Sequence, residues 1–282
     1  MNDQELISML NRDLADEHAA IIRYLVHAYL EGEDTPLGAG LLSRSREEMW
    51  HMHWLGMIIG RLGGEPEMKP APYPHDPTNR ATLFESYVRY EEKLIPHYMG
   101  EAEKTADPHI KRVLQREAWE SEMHAVKFKK VLSKLTPEQA NQLPEEENEL
   151  PTAFVEAVQQ AVSAKYNQML QCIRDSWVFQ KDAMLGWQIM DFSMTKMKQL
   201  AHLAEPVAEN GFEPRFDVKQ IRFSSAVGTA LRHTLESLAD TRKQHSDLLA
   251  AEETQKHAGL ITNLELSIKQ ETYESDEISD RL

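Results

Sequence analysis

The chain has 282 residues, a net charge of −15 and a single cysteine, Cys172. The length suits one large or two ordinary domains. The charge argues against a nucleic-acid phosphate track or an anionic membrane surface and fits a cytoplasmic protein. One cysteine rules out an intrachain disulfide, a CxxC redox pair and a zinc knuckle. No apolar run reaches membrane-span length, and the acidic start Met1-Asn2-Asp3-Gln4-Glu5 does not read as a signal peptide.

Residues 3–31 are predicted to form a long helix, with Leu6, Met9, Leu10, Leu14, Ile21, Leu25 and Ala28 on one stripe. Glu17 lies within that stripe. A carboxylate there is costly unless it is paired or ligates something. After a turn at 31–36, a second helix is expected over 36–62. It carries Glu48-Met49-Trp50-His51 among Met49, Met52, Leu55, Ile58, Ile59 and Leu62, and Gly63-Gly64 and Pro66 stop it. Residues three apart on a helix share a face, so Glu48 and His51 can grip one ion, or two ions bridged by the carboxylate.

Five prolines mark residues 65–78 as a loop. A third helix is expected over 80–106, kinked at Pro96. It contains Glu91 and Tyr98, seven apart like Glu17 and Tyr24 in the first helix. If this helix is rotated by one residue, Glu92 takes the place of Glu91. The fourth helix, 108–134, opens on Pro108 and holds Glu117, Glu120, Glu122 and His124.

Four amphipathic helices with inward Glu, Glu-x-x-His, Glu and His match the pattern that builds dinuclear carboxylate sites. Over residues 3–134 the chain resembles the ferritin-like superfamily, its bacterioferritin and rubrerythrin branches in particular. The resemblance rests on Glu17-x-x-Ala-Ile-x-x-Tyr24-Leu-x-His27-Ala28, and on Glu48-Met-x-His51 followed by Gly63-Gly64-Glu65-Pro66. It implies an all-α antiparallel four-helix bundle with a non-haem centre of two iron ions, or manganese and iron. The implied ligands are Glu17, Glu48 and His51 for one metal and Glu91, His124 and Glu120 for the other. The family pattern also has Glu-x-x-His on the fourth helix, where this chain has Ser121. Either Glu120 rotates in, or the site is asymmetric, binds one metal, or has decayed.

Residues 136–151 read as an acidic linker containing Glu145-Glu146-Glu147. Residues 1–135 then form the first domain and 152–270 a second, since the second half repeats the first at an offset of 148. Leu37-Gly38 matches Leu185-Gly186, Gly63 matches Gly211, and Glu65-Pro66 matches Glu213-Pro214. Helices are expected near 152–181, 186–210, 218–245 and 246–271, with Pro206 bending the second. The ligands do not carry over: Lys165, Lys196 and Gln199 stand where Glu17, Glu48 and His51 stand in the first half. Glu253-Thr254-Gln255-Lys256-His257 resembles Glu120 to His124, with Thr254 at the family glutamate position. This reads as a degenerate ferritin-like bundle without metal, and residues 271–282 as a disordered acidic tail.

The methionines and Trp187 over 184–197 are expected to fill core or interface, not to serve haem. His18 and His53 face away from the ligands, and His27 is an ordinary buried histidine or a supporting one. Tyr24 and Tyr98 are expected to hydrogen-bond ligands. The leading expectation is a di-iron or manganese/iron oxidoreductase that activates O2 or peroxide on a small organic substrate. It would need an external electron donor, with a homodimer as the candidate oligomer and neither haem nor nucleotide. Iron storage fits less well, because a fused second domain would obstruct cage assembly. The alternative is a metal-free interaction or dimerisation module. A hydroxylase acting on tRNA, known for this fold class, is disfavoured by the charge.

Overall fold

The computed structural model describes residues 2–143, 151–219 and 221–282, and among these the regular elements are all helical. No helix among them is long and apolar enough to cross a membrane. The chain divides into two compact units. One comprises Met1–Leu25 and Ala39–Glu145, the other Val26–Gly38 and Glu146–Leu282. The turn that joins the first two helices thus groups with the second unit, which a linear split of the sequence does not anticipate.

The first unit is built on α1 (Asp3–Glu31), α2 (Pro36–Arg61), α3 (Arg80–Ala102) and α4 (Pro108–Leu132), with a short α5 (Pro137–Asn141) after them. Each boundary has a local cause. Asn79 caps α3, accepting from Thr82 N at 2.9 Å, while Thr82 Oγ1 accepts from Asn79 N at 3.1 Å. Asp107 accepts from His109 N and Ile110 N and caps α4, whose first residue is Pro108. At the end of α2, Gly63 takes φ +79° and Gly64 N donates to Ile59 O, closing the left-handed cap that glycine permits. α3 ends at Ala102, short of the expected 106, and runs through Pro96 as one helix.

The proline-rich segment after α2 lies along α1. Asn11 donates to Glu65 O and accepts from Glu67 N, and Ala71 N donates to Ala15 O. These bonds bring Tyr73 onto Tyr90, with ring centroids 4.1 Å apart. Tyr24, Phe84, Tyr87 and Phe128 form a continuous aromatic plug inside the bundle. Each buried ring of this size contributes about 1.5–3 kcal/mol. The plug leaves the neighbouring polar residues enclosed.

The second unit has its own four long helices: α6 (Thr152–Val178), α7 (Ala183–Glu209), α8 (Val227–Leu249) and α9 (Ala258–Ser279). α6 packs on α7 and α8, and α9 packs on α7 and α8, which closes a four-helix bundle. The repeat is visible in backbone detail. Gly211 ends α7 at φ +72°, and Phe212 N donates to Val207 O, as Gly64 does to Ile59.

Three expectations for this half are corrected. α8 starts at Val227, not near 218, because amide side chains of α6 bind backbone groups of Arg215, Asp217 and Arg222 and keep them out of a helix. Gln159 donates to Arg215 O, Asn167 to Asp217 O, and Gln171 both donates to Arg222 O and accepts from Arg222 N. The last helix starts at Ala258, not 246, after a 3-10 turn at Thr254–Lys256. The expected disordered tail from 271 is therefore helix, with Glu271, Glu274 and Ile278 buried. The acidic run Glu145-Glu146-Glu147, expected in the linker, lies outside the described residues.

Candidate metal centre

Glu17 of α1, Glu48 and His51 of α2, Glu91 of α3 and His124 of α4 are each at most 2% exposed. Helical spacing places them on inward faces, and the four helices bring them to one level. Their ligand atoms form two groups, each within 4.8 Å: Glu17, Glu48 and His51, and Glu48, Glu91 and His124. Glu48 belongs to both. Its Oε2 lies 2.8 Å from His51 Nδ1, and its Oε1 lies 2.7 Å from His124 Nδ1. The second contact lacks hydrogen-bond alignment, so Glu48 Oε1 and His124 Nδ1 both count as buried polar atoms without a hydrogen bond. Glu91 Oε2 is in the same condition. Carboxylate and imidazole atoms this close and incompletely hydrogen-bonded suit a shared cation once it displaces their protons.

The second nitrogen of each imidazole faces outward to a carboxylate. His51 Nε2 is 2.6 Å from Glu120 Oε2, and His124 Nε2 is 2.6 Å from Glu47 Oε2. The arrangement is reciprocal: α4 supplies the support for the α2 histidine and α2 supplies it for the α4 histidine. Glu120 is therefore not where the sequence expectation put it. It lies behind His51, belongs to neither ligand group, and its other oxygen accepts from Arg116 Nε at 2.8 Å. The fallback Glu92 is exposed and pairs with Lys129.

A second reciprocity links α1 and α3. Tyr24 donates to Glu91 Oε1 at 2.6 Å, and Tyr98 donates to Glu17 Oε1. Each tyrosine thus orients the glutamate of the other helix, which explains the shared seven-residue spacing. The expectation that these tyrosines bond ligand residues matches this geometry. His18 is buried, and burial pushes its imidazole down to about 3, so it stays neutral. His27 pairs with Glu31 at 3.1 Å.

Sequence reasoning named Glu117 without assigning it a role. It is fully buried on α4, one turn before Ser121, and neither of its carboxylate oxygens has a hydrogen-bond partner. Burial raises it well above the usual carboxylate range; the charge of His51 opposes that, while those of Glu17, Asp13 and Glu48 add to it. Glu47 was also missed. The available signal was that Glu47 and Glu120 stand four residues before His51 and His124, in matching positions.

The charge state follows from this crowding. Burial, then the Glu48 charge, pushes the Glu17 carboxyl up to about 8. Burial opposes protonation of His124, but Glu48 and Glu47 raise it to about 12, and Glu17 and Glu48 likewise hold His51 high. Burial alone would raise Glu48 as well; the two imidazoles instead hold it well below the usual range. The hydrogen bond from His51 takes Glu120 down to about 2. Without a cation, protons balance this carboxylate-rich interior.

At the matching level of the second unit, the chemistry is inverted. Lys165 Nζ is 2.5 Å from Glu271 Oε1 and 3.0 Å from Gln199 Oε1, and Lys196 pairs with Glu274. All four charged residues are at most 1% exposed. Glu271-x-x-Glu274 of α9 thus faces the lysines, whereas the sequence reading compared the stretch at 253–257 with Glu120 to His124. Two ammonium groups supply positive charge to this interior.

Fold and site together define an all-α bundle with a buried carboxylate–imidazole centre. Residues 7–137, the N-terminal half of this chain, match the family model Ferritin-like domain, which supports the ferritin-like resemblance of that half. Searches of curated proteins and of solved structures found no match.

Proposed function

We propose that the first bundle holds two first-row metal ions, iron or manganese with iron, and works as an oxidoreductase on a small organic substrate. The observation that carries this reading is Glu48, shared between the two buried ligand groups. In the proposal Glu48 bridges, Glu17 and His51 hold one ion, and Glu91 and His124 hold the other. Carboxylate and imidazole donors suit these metals. When bound, such a pair supplies activation of O2 or peroxide.

The chain's own residues prepare the site. Glu120 and Glu47 fix the rings of His51 and His124 with Nδ1 inward. Tyr24 and Tyr98 keep hydroxyl protons at Glu91 Oε1 and Glu17 Oε1, which leaves Glu91 Oε2 without a hydrogen bond and Glu17 Oε2 3.1 Å from His51 Nδ1. The aromatic plug keeps water from that side. In this reading Glu117, buried one turn before Ser121 with both carboxylate oxygens lacking a hydrogen bond, replaces the carboxylate missing at Ser121. An outside electron donor serves turnover. The one thiol, Cys172, is buried, and burial pushes it up to about 12, so it carries little thiolate. The second unit, with its lysine–glutamate interior, serves as a metal-free helical partner domain in this reading.

The test is metal content of protein purified from medium supplied with iron and manganese, followed by O2 consumption with a reductant. About two ions per chain, reduced to background by Glu48→Ala, supports the reading. Background metal in the parent protein overturns it.

A further inference from the structure

A second cluster of metal-ligating side chains lies near the centre but outside it. Asp13 of α1 stands one turn before Glu17, and His97 of α3 directly precedes Tyr98. His97 Nε2 is 2.9 Å from Asp13 Oδ1 and 3.6 Å from Glu101 Oε2. Ligand atoms from all three residues lie within 4.8 Å of one another. Asp13 is fully buried and Glu101 is 3% exposed, whereas the His97 side chain is 36% exposed. Asp13 Oδ2 and Glu101 Oε2 accept no N–H or hydroxyl, and the two carboxyls satisfy each other only by sharing a proton. The nearest cation, Arg12, reaches only Glu101 Oε1, at 3.8 Å from an exposed position.

From this geometry we infer that Asp13, His97 and Glu101 form a separate site for one divalent first-row metal ion. Two carboxylates and an imidazole are a donor set that such ions accept, with positions left for water. Burying two carboxyls side by side is costly when both are ionised, and a divalent ion offsets that cost as one imidazole or one shared proton cannot. The half-exposed imidazole gives the ion a way in from solvent. Glu117, buried on α4, interacts electrostatically with Asp13 as well as with Glu17 and Glu48.

The probe is Mn2+ on the full chain. Anomalous scattering from crystals soaked in Mn2+ locates ions without any variant. A peak between Asp13, His97 and Glu101 supports the site, and its absence at saturating Mn2+ overturns it. Equilibrium dialysis provides the second measurement. Glu101→Gln keeps the shape of the side chain, and His97→Ala changes an exposed ring; each is expected to bind one Mn2+ fewer than the parent. Unchanged stoichiometry in both variants overturns the proposal. Glu48→Ala separates this site from the central one: one Mn2+ is expected to remain on that variant, and its loss on adding Glu101→Gln confirms where it sat.

Discussion

Glu120 stands behind His51, its Oε2 2.6 Å from the ring Nε2, while Nδ1 of the same ring faces Glu17 and Glu48. A carboxylate in this place orients a ligand without being one. Glu120→Ala should therefore leave the number of bound ions unchanged and weaken affinity by about 10- to 100-fold. Glu47→Ala should do the same on the His124 side. Isothermal titration of the metal-free protein gives both quantities. A drop in stoichiometry for Glu120→Ala would make it a direct ligand after all.

The protons held in the metal-free centre have a measurable consequence. Glu17 is raised to about 8 and His124 to about 12, so both carry protons at neutral pH. Metal binding requires both to be deprotonated and must release those protons. Affinity should accordingly rise with pH between 6 and 8, by about tenfold per unit for each proton displaced. In the metal-free protein the sign is opposite. Glu17 protonation contributes stability that is present below its unfolded value and lost as pH rises through about 8. Binding curves at two pH values, with a pH indicator to count protons, check the first statement. Metal affinity that is flat over this range would contradict it.

The second unit should show the energetics of buried ion pairs. Lys196 and Glu274 are both buried and paired. Removing one partner leaves an uncompensated charge inside the bundle, which costs about 3–5 kcal/mol. Lys196→Met should destabilise by this order, and Lys196→Met with Glu274→Met should recover most of the loss. Urea unfolding of the full chain, followed with a probe in the second unit, measures both. A chelator should leave this transition where it is while shifting that of the first unit.

The inward carboxylates and imidazoles were legible because helical periodicity is rigid. Glu48 and His51 lie one turn apart, and Glu17 and Glu91 each precede a tyrosine by seven residues, so both pairs announce shared faces. Glu120 was misjudged because neighbouring positions differ by about 100° on the helix. Sequence alone does not say whether a long side chain folds inward or reaches round a ring. The lysine–glutamate interior was half visible. Lys165 and Lys196 align with Glu17 and Glu48 at the 148-residue offset, but the non-helical segment before α8 and the turn before α9 shift the later helices. Glu271 and Glu274 therefore fell in what reads as a polar tail. The Asp13, His97 and Glu101 cluster had a signal too, since His97 and Glu101 are one helical turn apart. Their meeting with Asp13 depends on how α1 and α3 pack.

The position where the chain departs from its family gives the last prediction. Ser121 is 1% exposed on α4, three residues before His124, as Glu48 is three before His51. Ser121→Glu would place a further carboxylate in an interior that already holds Glu17, Glu48, Glu91 and Glu117. Without metal, that charge or its protonated form has no partner, and the variant should be less stable than the parent by roughly 1–3 kcal/mol. With metal, the same carboxylate faces cations and the balance reverses. The rise in melting temperature on adding Mn2+ should therefore be larger for Ser121→Glu than for the parent, since ligand binding to the folded state adds directly to stability. Thermal unfolding of both proteins, with and without Mn2+, supplies the four values needed. If the metal-induced rise is no larger in the variant, position 121 does not face the ions, and Glu117 is the carboxylate through which α4 contributes to the centre.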